Sequence, residues 1–276
     1  MAEATSAWKH NAAGMGSRTA AWLSLWRSRD LIGFFALRDL RVRYKQAALG
    51  VVWVLLQPIA SVVIFTLVFG RLANISSQGI PYPLFALLGM VVWVYFSNAT
   101  VRGSEVLVNN PQLITKVSFP RIAAPAAAML PPLVDLAVSM GLVGLLMLFY
   151  QVTPTWRLLA APLWIAVLIL AAFGMALWLS ALNVRYRDVQ HAVGPMMQIW
   201  LFASPVAYPS SLLSGWHEWL YALNPMTGVI ELARWSVLDT PWPGWPLAVS
   251  LGAVAAVLTG GLAYFRRAER AFADVI

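Results

Sequence analysis

Cationic side chains recur at helical spacing immediately before the first long apolar run of the chain. Arg38, Arg41 and Lys45 stand at positions i, i+3 and i+7, which places three cations on one stripe of an α-helix. Arg43 lies on a second polar side and completes the candidate headgroup-binding set. Such a stripe can bind anionic membrane lipid, at about 1 kcal/mol per cation, or the phosphate headgroup of a lipid-linked cargo. The residues alone leave both interpretations open.

Few side chains in the apolar parts of the chain could carry proton-transfer or enzymatic chemistry. Asp135 is the one ionisable group inside the apolar runs, where a carboxylate is either functional, hydrogen-bonded or protonated. The histidines, His10, His191 and His217, lie outside those runs, so we predict no catalytic residue and no metal site. The nucleotide-binding pattern G-x-x-x-x-G-K-[ST] does not occur. Any ATP that drives this protein must therefore bind another subunit.

The composition of the chain is that of a membrane protein. Lysine and arginine number 19 and the acids 11 in 276 residues, while hydrophobic residues make up 60% and the mean hydropathy is +0.71. A soluble domain averages about 45–50% apolar residues. These values exclude a soluble domain and a disordered chain. A typical nucleic-acid partner is also excluded, despite an isoelectric point near 10.2.

Apolar runs of about 20 residues cross roughly 30 Å of hydrocarbon as helices, and six occur here. The predicted spans are 49–70, 83–101, 122–150, 158–184, 192–213 and 245–265. The third is expected to tilt or break near Pro131 and Pro132. We expect an all-α polytopic membrane protein with six transmembrane helices and an N-terminal amphipathic interface helix. Residues 1–30 form a cytoplasmic segment and residues 31–276 the transmembrane domain.

The charge distribution predicts the orientation, since cytoplasmic loops carry an excess of lysine and arginine. With the N-terminus inside, all but three of the 19 cations fall on the cytoplasmic side. The exceptions are Arg71, Arg157 and Arg234, which the acids Glu218, Glu231 and Asp239 balance. Residues 1–30 contain no apolar run long enough for a signal peptide. We therefore predict a multi-pass protein of the inner or plasma membrane with both termini in the cytoplasm.

Two predicted cytoplasmic loops have the composition of contact surfaces. Residues 109–121, NNPQLITKVSFPR, mix polar and apolar side chains between prolines, as suits docking to a partner or a plain connector. Residues 183–191, NVRYRDVQH, hold Arg185 and Arg187 at the membrane surface. These two arginines can meet a headgroup or a partner, or pair locally with Asp188.

The outside loop 214–244 is longer than a connector requires, and its apolar spacing predicts two short re-entrant helices. It is the candidate outer gate, with Trp216, Trp219, Asn224, Pro225 and Glu231 as its residues. Aromatic side chains within the predicted spans can line a path and stack on sugar rings, or pack against lipid or core. These are Trp53, Trp93, Tyr95, Trp200, Phe202 and Tyr208.

Four stretches in order carry a family resemblance: RDLRVRYKQAALGVVWVLLQP, NNPQLITKVSFPR, NVRYRDVQH followed by IWLFASPVAYP, and ALNPMTGVIELAR. Over residues 30–276 the chain resembles the membrane subunits of ABC-2 type polysaccharide exporters, the O-antigen, teichoic-acid and capsule permeases. The second of these stretches then corresponds to the segment that couples to the ATPase. Its candidate residues are Asn110, Leu113, Ile114, Lys116, Phe119 and Arg121.

The resemblance also implies the partners and the cargo. It implies a homodimer in the bacterial inner membrane, bound to two copies of a cytoplasmic ABC ATPase that holds ATP and Mg, with no cofactor on this chain. The cargo would be a polyprenyl-pyrophosphate-linked polysaccharide, with O-antigen expected. Its path would lie between the first span of one protomer and the fifth of the other. Two other hypotheses remain, a proton-coupled carrier acting through Asp135 and a scaffold without transport activity.

Overall fold

The computed structural model describes residues 29–45, 51–110, 120–212, 215–269 and 272. Most of the predicted N-terminal segment 1–30 therefore lies outside the described residues. Those described form ten α-helices and no strand, which confirms the all-α prediction. The helices are α1 (Arg29–Lys45), α2 (Val51–Phe65), α3 (Tyr82–Asn109), α4 (Ala123–Ala128), α5 (Leu130–Phe149), α6 (Ala161–Arg185), α7 (Val189–Phe202), α8 (Trp216–Ala222), α9 (Pro225–Leu238) and α10 (Trp245–Glu269).

Helices α3 and α6 pack together at the centre, with α10 against α6 and α5 against α3. Small residues allow the close approach of α6 and α10, because a Cβ atom on Gly261 would lie 2.5 Å from the carbonyl oxygen of Gly174. Beside them the indole of Trp178 donates to the carbonyl of Val257 at 3.1 Å. The Asn183 amide donates to Ser104, joining α6 to α3. This core positions both ends of the bundle.

Five described helical segments are long and apolar enough to cross a membrane, and they correspond to five of the six predicted spans. They are Leu55–Leu72, Tyr82–Asn109, Ala123–Phe149, Trp156–Arg185 and Trp245–Glu269. The first combines α2 with the π-helix Thr66–Leu72, and the fourth begins with a 3₁₀ turn. The third breaks at Met129, just before the proline pair at the start of α5, because proline suits the first turn of a helix.

The fifth predicted span, 192–213, differs from the structure. Helix α7 has 14 residues and ends at Phe202, so it extends only about 21 Å. Turns and a 3₁₀ helix at Ser210–Leu212 follow. Pro205, two residues beyond the C-cap Ala203, cannot continue the helix. The described residues therefore do not confirm a six-span count.

The two ends of the bundle differ in chemistry. We call residues 29–45, 102–110, 120–122, 185–191, 265–269 and 272 the basic end, and residues 73–85, 151–160, 203–212 and 215–246 the aromatic end. At the basic end α1 packs against α4 and α5. At the aromatic end the rings of Trp219 and Trp245 lie 4.1 Å apart.

Candidate functional site

Helix α1 carries the predicted cationic stripe at the basic end. Its Ala36 is buried against the bundle, whereas Phe34, Arg38 and Arg41 are exposed. The Arg38 guanidinium bonds the Asp39 carboxylate at 2.9 Å, a surface pair worth less than about 1 kcal/mol. A phosphate could therefore displace it readily. The side chains of Arg43 and Lys45 lie outside the described set.

The predicted coupling segment is described only at its two edges. The Asn110 amide donates to Val106 at 2.9 Å and thereby closes the end of α3. Arg121 points into the protomer, where it donates to the Glu269 carbonyl at 2.5 Å. Its guanidinium also lies 6.0 Å from the ring of the buried Phe272. Leu113, Ile114, Lys116 and Phe119 lie outside the described residues.

The turn between α6 and α7 presents exposed charges at the basic end. Arg185, Arg187 and Asp188 are all exposed, and the Arg185 guanidinium lies 5.3 Å from the Tyr186 ring. In this described turn Asp188 forms no salt bridge with either arginine, unlike the local pairing considered from the sequence. Both cations are therefore accessible from outside the protomer.

Asn224 ties the start of α9 to the end of α7 at the aromatic end. Its side-chain oxygen caps α9 by accepting from the Met226 amide at 3.0 Å, and it also accepts from the Trp200 indole at 3.2 Å. Its amide nitrogen donates to the Ala203 carbonyl and the Ser204 hydroxyl, both at 2.9 Å. The predicted re-entrant segment therefore consists of two helices, α8 and α9, and Asn224 between them caps the start of α9.

A fully buried arginine holds α9 against the turn that follows α7. Arg234 is 0% exposed and donates to the Val206 carbonyl at 2.8 Å. Its guanidinium stacks 3.5 Å from the centre of the Phe85 ring. The Glu231 carboxylate lies 3.7 Å from Arg234 and accepts from the Ser210 amide at 3.0 Å. Burial lowers the pKa of Arg234 to about 10, so the side chain stays charged at neutral pH.

Tyr82 completes this arrangement by donating to the Ala207 carbonyl at 2.6 Å. We call Tyr82, Glu231, Arg234 and the turn 203–210 the gate clasp. Gly89 is required at its edge, because a Cβ atom there would lie 2.7 Å from the Arg234 guanidinium and 2.8 Å from the Val206 carbonyl. Removing one partner of a buried ion pair leaves an uncompensated charge, which lowers the free energy of unfolding by about 3–5 kcal/mol. The clasp therefore restrains the turn firmly.

Glu231 is one of the predicted gate residues, whereas its neighbours in the clasp, Arg234, Tyr82 and Gly89, were not predicted as part of this site. The i, i+3 spacing of Glu231 and Arg234 within an apolar helix was an available signal. A second of the three predicted outer cations, Arg157, pairs with Asp239 at 2.8 Å, so two of the three have acidic partners.

The predicted path aromatics lie in different environments. Trp93 and Tyr95 are only 3% and 2% exposed, which makes them core residues of the protomer. Trp200 is half-buried and packs edge-to-face on Phe96 at 5.3 Å. Phe202 is exposed, whereas Tyr208 is half-buried and Trp53 has no described side chain. Of the predicted gate residues, Trp216 and Trp219 are exposed, and Pro225 is buried in the first turn of α9.

A family model, that of the ABC-2 type transporter, matches residues 31–238. The chain belongs to this family. The match extends from α1 to the last residue of α9, so the cationic helix and the gate clasp both lie within the ABC-2 domain.

Three relatives of this ABC-2 chain are similar over most of their length. The O-antigen export system permease protein RfbA of Myxococcus xanthus is 31% identical over 239 residues, 85% of this chain and 90% of that protein. A Klebsiella pneumoniae protein of the same name is 24% identical over 252 residues, 90% and 95% of the two chains. The polysialic acid transport protein KpsM of Escherichia coli is 26% identical over 242 residues, which cover 85% of this chain and 92% of that protein.

Proposed function

We propose that this chain is the permease subunit of an ATP-driven exporter that moves polyprenyl-pyrophosphate-linked polysaccharide, with O-antigen as the expected glycan. Transport would run from the cytoplasmic to the outer side of the bacterial inner membrane. The observation that carries the proposal is the 31% identity with an O-antigen export permease across 85% of the chain. The relatives all bear names of polysaccharide export or transport proteins.

The basic end suits the entry of an anionic lipid headgroup. Positive charge concentrates there, and the positive-inside rule puts that end in the cytoplasm. Arg38 and Arg41 are exposed on α1 beside the apolar side chains Phe34 and Leu37. A helix with cations and apolar side chains at its surface can lie in the headgroup layer. There it would meet the pyrophosphate while the polyprenyl chain remains in hydrocarbon.

Energy for export would come from two copies of a separate cytoplasmic ATPase docked on residues 109–121. Arg121 supports this route because its contact with Glu269 connects that segment to α10. Helix α10 in turn packs along α6 and against α9. A displacement at the docked segment could therefore reach α9 and the gate clasp through directly packed helices.

A second copy of the chain would complete the path. The described surfaces of α2 and α5 expose large apolar side chains, including Ile64, Leu145 and Leu148. Lipid or a second protomer can cover such faces in a membrane. In the homodimer that we propose, the glycan would move between α2 of one protomer and α7 of the other, past Phe202.

The experiment is transport by the purified chain in proteoliposomes, with and without its copurified ATPase. We expect glycan transport to require both the ATPase and ATP hydrolysis, and to persist in Asp135→Asn. Mass analysis of lipid bound to the purified complex should find pyrophosphate-linked glycan. Transport by the chain alone on a pH gradient, abolished in Asp135→Asn, would instead establish a proton-coupled carrier.

A further inference from the structure

A small cavity opens at the aromatic end beside the gate clasp. Its volume is about 160 Å³. Helices α8 and α9, the turn at Gln78, the 3₁₀ helix Ser210–Leu212 and the linker 241–246 all contribute to its walls. Because these segments are distant in sequence, only the folded chain forms the cavity.

The lining of the cavity combines apolar and polar groups. Trp242 and three prolines, Pro241, Pro243 and Pro246, contribute apolar surface. Carboxylate, hydroxyl and amide groups come from Gln78, Ser210, Ser211, Glu218, Thr227 and Glu231. An aromatic surface together with a few polar groups is a common lining for a small-molecule site. A pyranose matches it, with C–H groups on one face and hydroxyls around its edge.

The charges of the lining select among ligands. Glu218 and Glu231 line the cavity, and none of the described lining residues is cationic. An ionised carboxylate accepts hydrogen bonds and donates none, so the ligand must supply donors such as hydroxyl or ammonium groups. A phosphate would face the Glu218 carboxylate, and the neighbouring Arg234 is already paired with Glu231. This cavity therefore does not suit the pyrophosphate headgroup, for which the basic end has cations.

The walls are held in place without a ligand. The Trp242 ring packs edge-to-face on Trp235 at 4.9 Å, and Trp235 lies 5.4 Å from the Arg157 guanidinium. Arg157 is itself fixed by its pair with Asp239 at 2.8 Å. The Ser210 amide donates to Glu231 at 3.0 Å and orients its carboxylate. Such pre-organisation reduces the entropy that a ligand loses on binding.

We infer that this cavity is a binding site for one neutral or amino-sugar residue of the glycan as it leaves the protein. Its volume of about 160 Å³ can admit a group of the size of a six-membered sugar ring. We call it the sugar subsite, defined by Glu218, Thr227, Glu231 and Trp242. The source of the sugar rests on the proposed function, but binding itself requires neither ATP nor transport.

Saturation-transfer NMR on the full chain with its ATPase in nanodiscs, without nucleotide, tests the subsite. The probes are methyl α-glucoside, glucosamine and glucose 6-phosphate. We expect ring-proton signals from the first two and at least a tenfold weaker signal from the phosphate. Trp242→Ala should reduce the signals at least fivefold, and Trp242→Phe should retain most of them. Glu218→Gln should weaken glucosamine more than the glucoside.

Trp156→Ala is the matched control, because Trp156 is an exposed tryptophan of the aromatic end that does not line the cavity. It should leave the signals unchanged. Equal signals from wild type and Trp242→Ala, or an equal signal from glucose 6-phosphate, would overturn the subsite. ATP-driven glycan export without sugar signals would overturn the subsite and leave the proposed function standing. Sugar signals that are lost only in Trp242→Ala, from a complex that exports no glycan, would support the subsite and contradict the proposed function.

Discussion

The two ends of the bundle use charge in opposite ways. At the basic end Arg38 and Arg41 are exposed, and the pair between Arg38 and Asp39 lies at the surface. At the aromatic end Arg234 and Glu231 are buried within one helix and bond to the backbone of the turn after α7. A surface ion pair contributes about 1 kcal/mol or less to the free energy of unfolding, whereas breaking a buried pair lowers that free energy by about 3–5 kcal/mol. Charge at the basic end is therefore accessible to a ligand, whereas the buried pair at the aromatic end holds the turn after α7.

Arg234→Met should have the largest effect on stability. It leaves Glu231 buried without its cation, and we expect a loss of about 3–5 kcal/mol in the free energy of unfolding. Arg157→Met is the matched control, because Arg157 pairs with Asp239 at the same end but is partly exposed. Its loss should be about 1 kcal/mol. Thermal unfolding in detergent measures both losses. Equal shifts in Tm for the two variants would contradict a larger contribution from the buried pair than from the surface pair.

Gly89→Ala tests the same clasp by packing instead of charge. The added methyl group would meet the Arg234 guanidinium and the Val206 carbonyl at less than 3 Å, so we expect a loss of about 1–3 kcal/mol. Gly144→Ala is the control, since a Cβ atom there meets nothing within 4 Å. In a helix that change should be neutral or stabilising. A neutral Gly89→Ala in the same unfolding assay would contradict the close fit of the clasp.

The sequence predicted the elements that bilayer thickness dictates. Five described spans and the helix of α1 follow from runs of apolar residues and from cation spacing, which are local properties. The end of α7 was missed, because Pro205 and the bonds of Asn224 to Ala203 and Ser204 shape the turn there. The gate clasp was also missed, since Arg234 bonds carbonyls 28 and 149 residues away. Bonds to such distant carbonyls have no local sequence signal, although the i, i+3 spacing of Glu231 and Arg234 is one for their pairing.

Asn224→Ala compares the two ends at a single amide. It removes the cap of α9 and the partner of the Trp200 indole, so we expect a loss of about 1–3 kcal/mol. Asn110→Ala at the basic end removes one bond, to Val106, and should lower stability by about 1 kcal/mol or less. Chemical unfolding of the two variants ranks them. A larger loss for Asn110→Ala would show that the basic end is the more rigid one.

Arg38→Gln should have the smallest effect on stability, below about 1 kcal/mol, because its pair with Asp39 is exposed. Thermal unfolding in detergent checks this value. A loss comparable with that of Arg234→Met would mean that α1 is held by charge and is not free to bind a headgroup.

We propose that the stripe of cations on α1, Arg38, Arg41 and Lys45, receives the cargo headgroup. ATP-dependent export of pyrophosphate-linked glycan in proteoliposomes tests it with Arg38, Arg41 and Lys45 all changed to Gln. The control changes Arg18, Arg27 and Arg29 to Gln, which removes the same charge upstream of the stripe. We expect at least a tenfold loss of export for the stripe variant, with ATPase binding intact, and a much smaller loss for the control. Unchanged export by the stripe variant would rule out a headgroup role for these three cations.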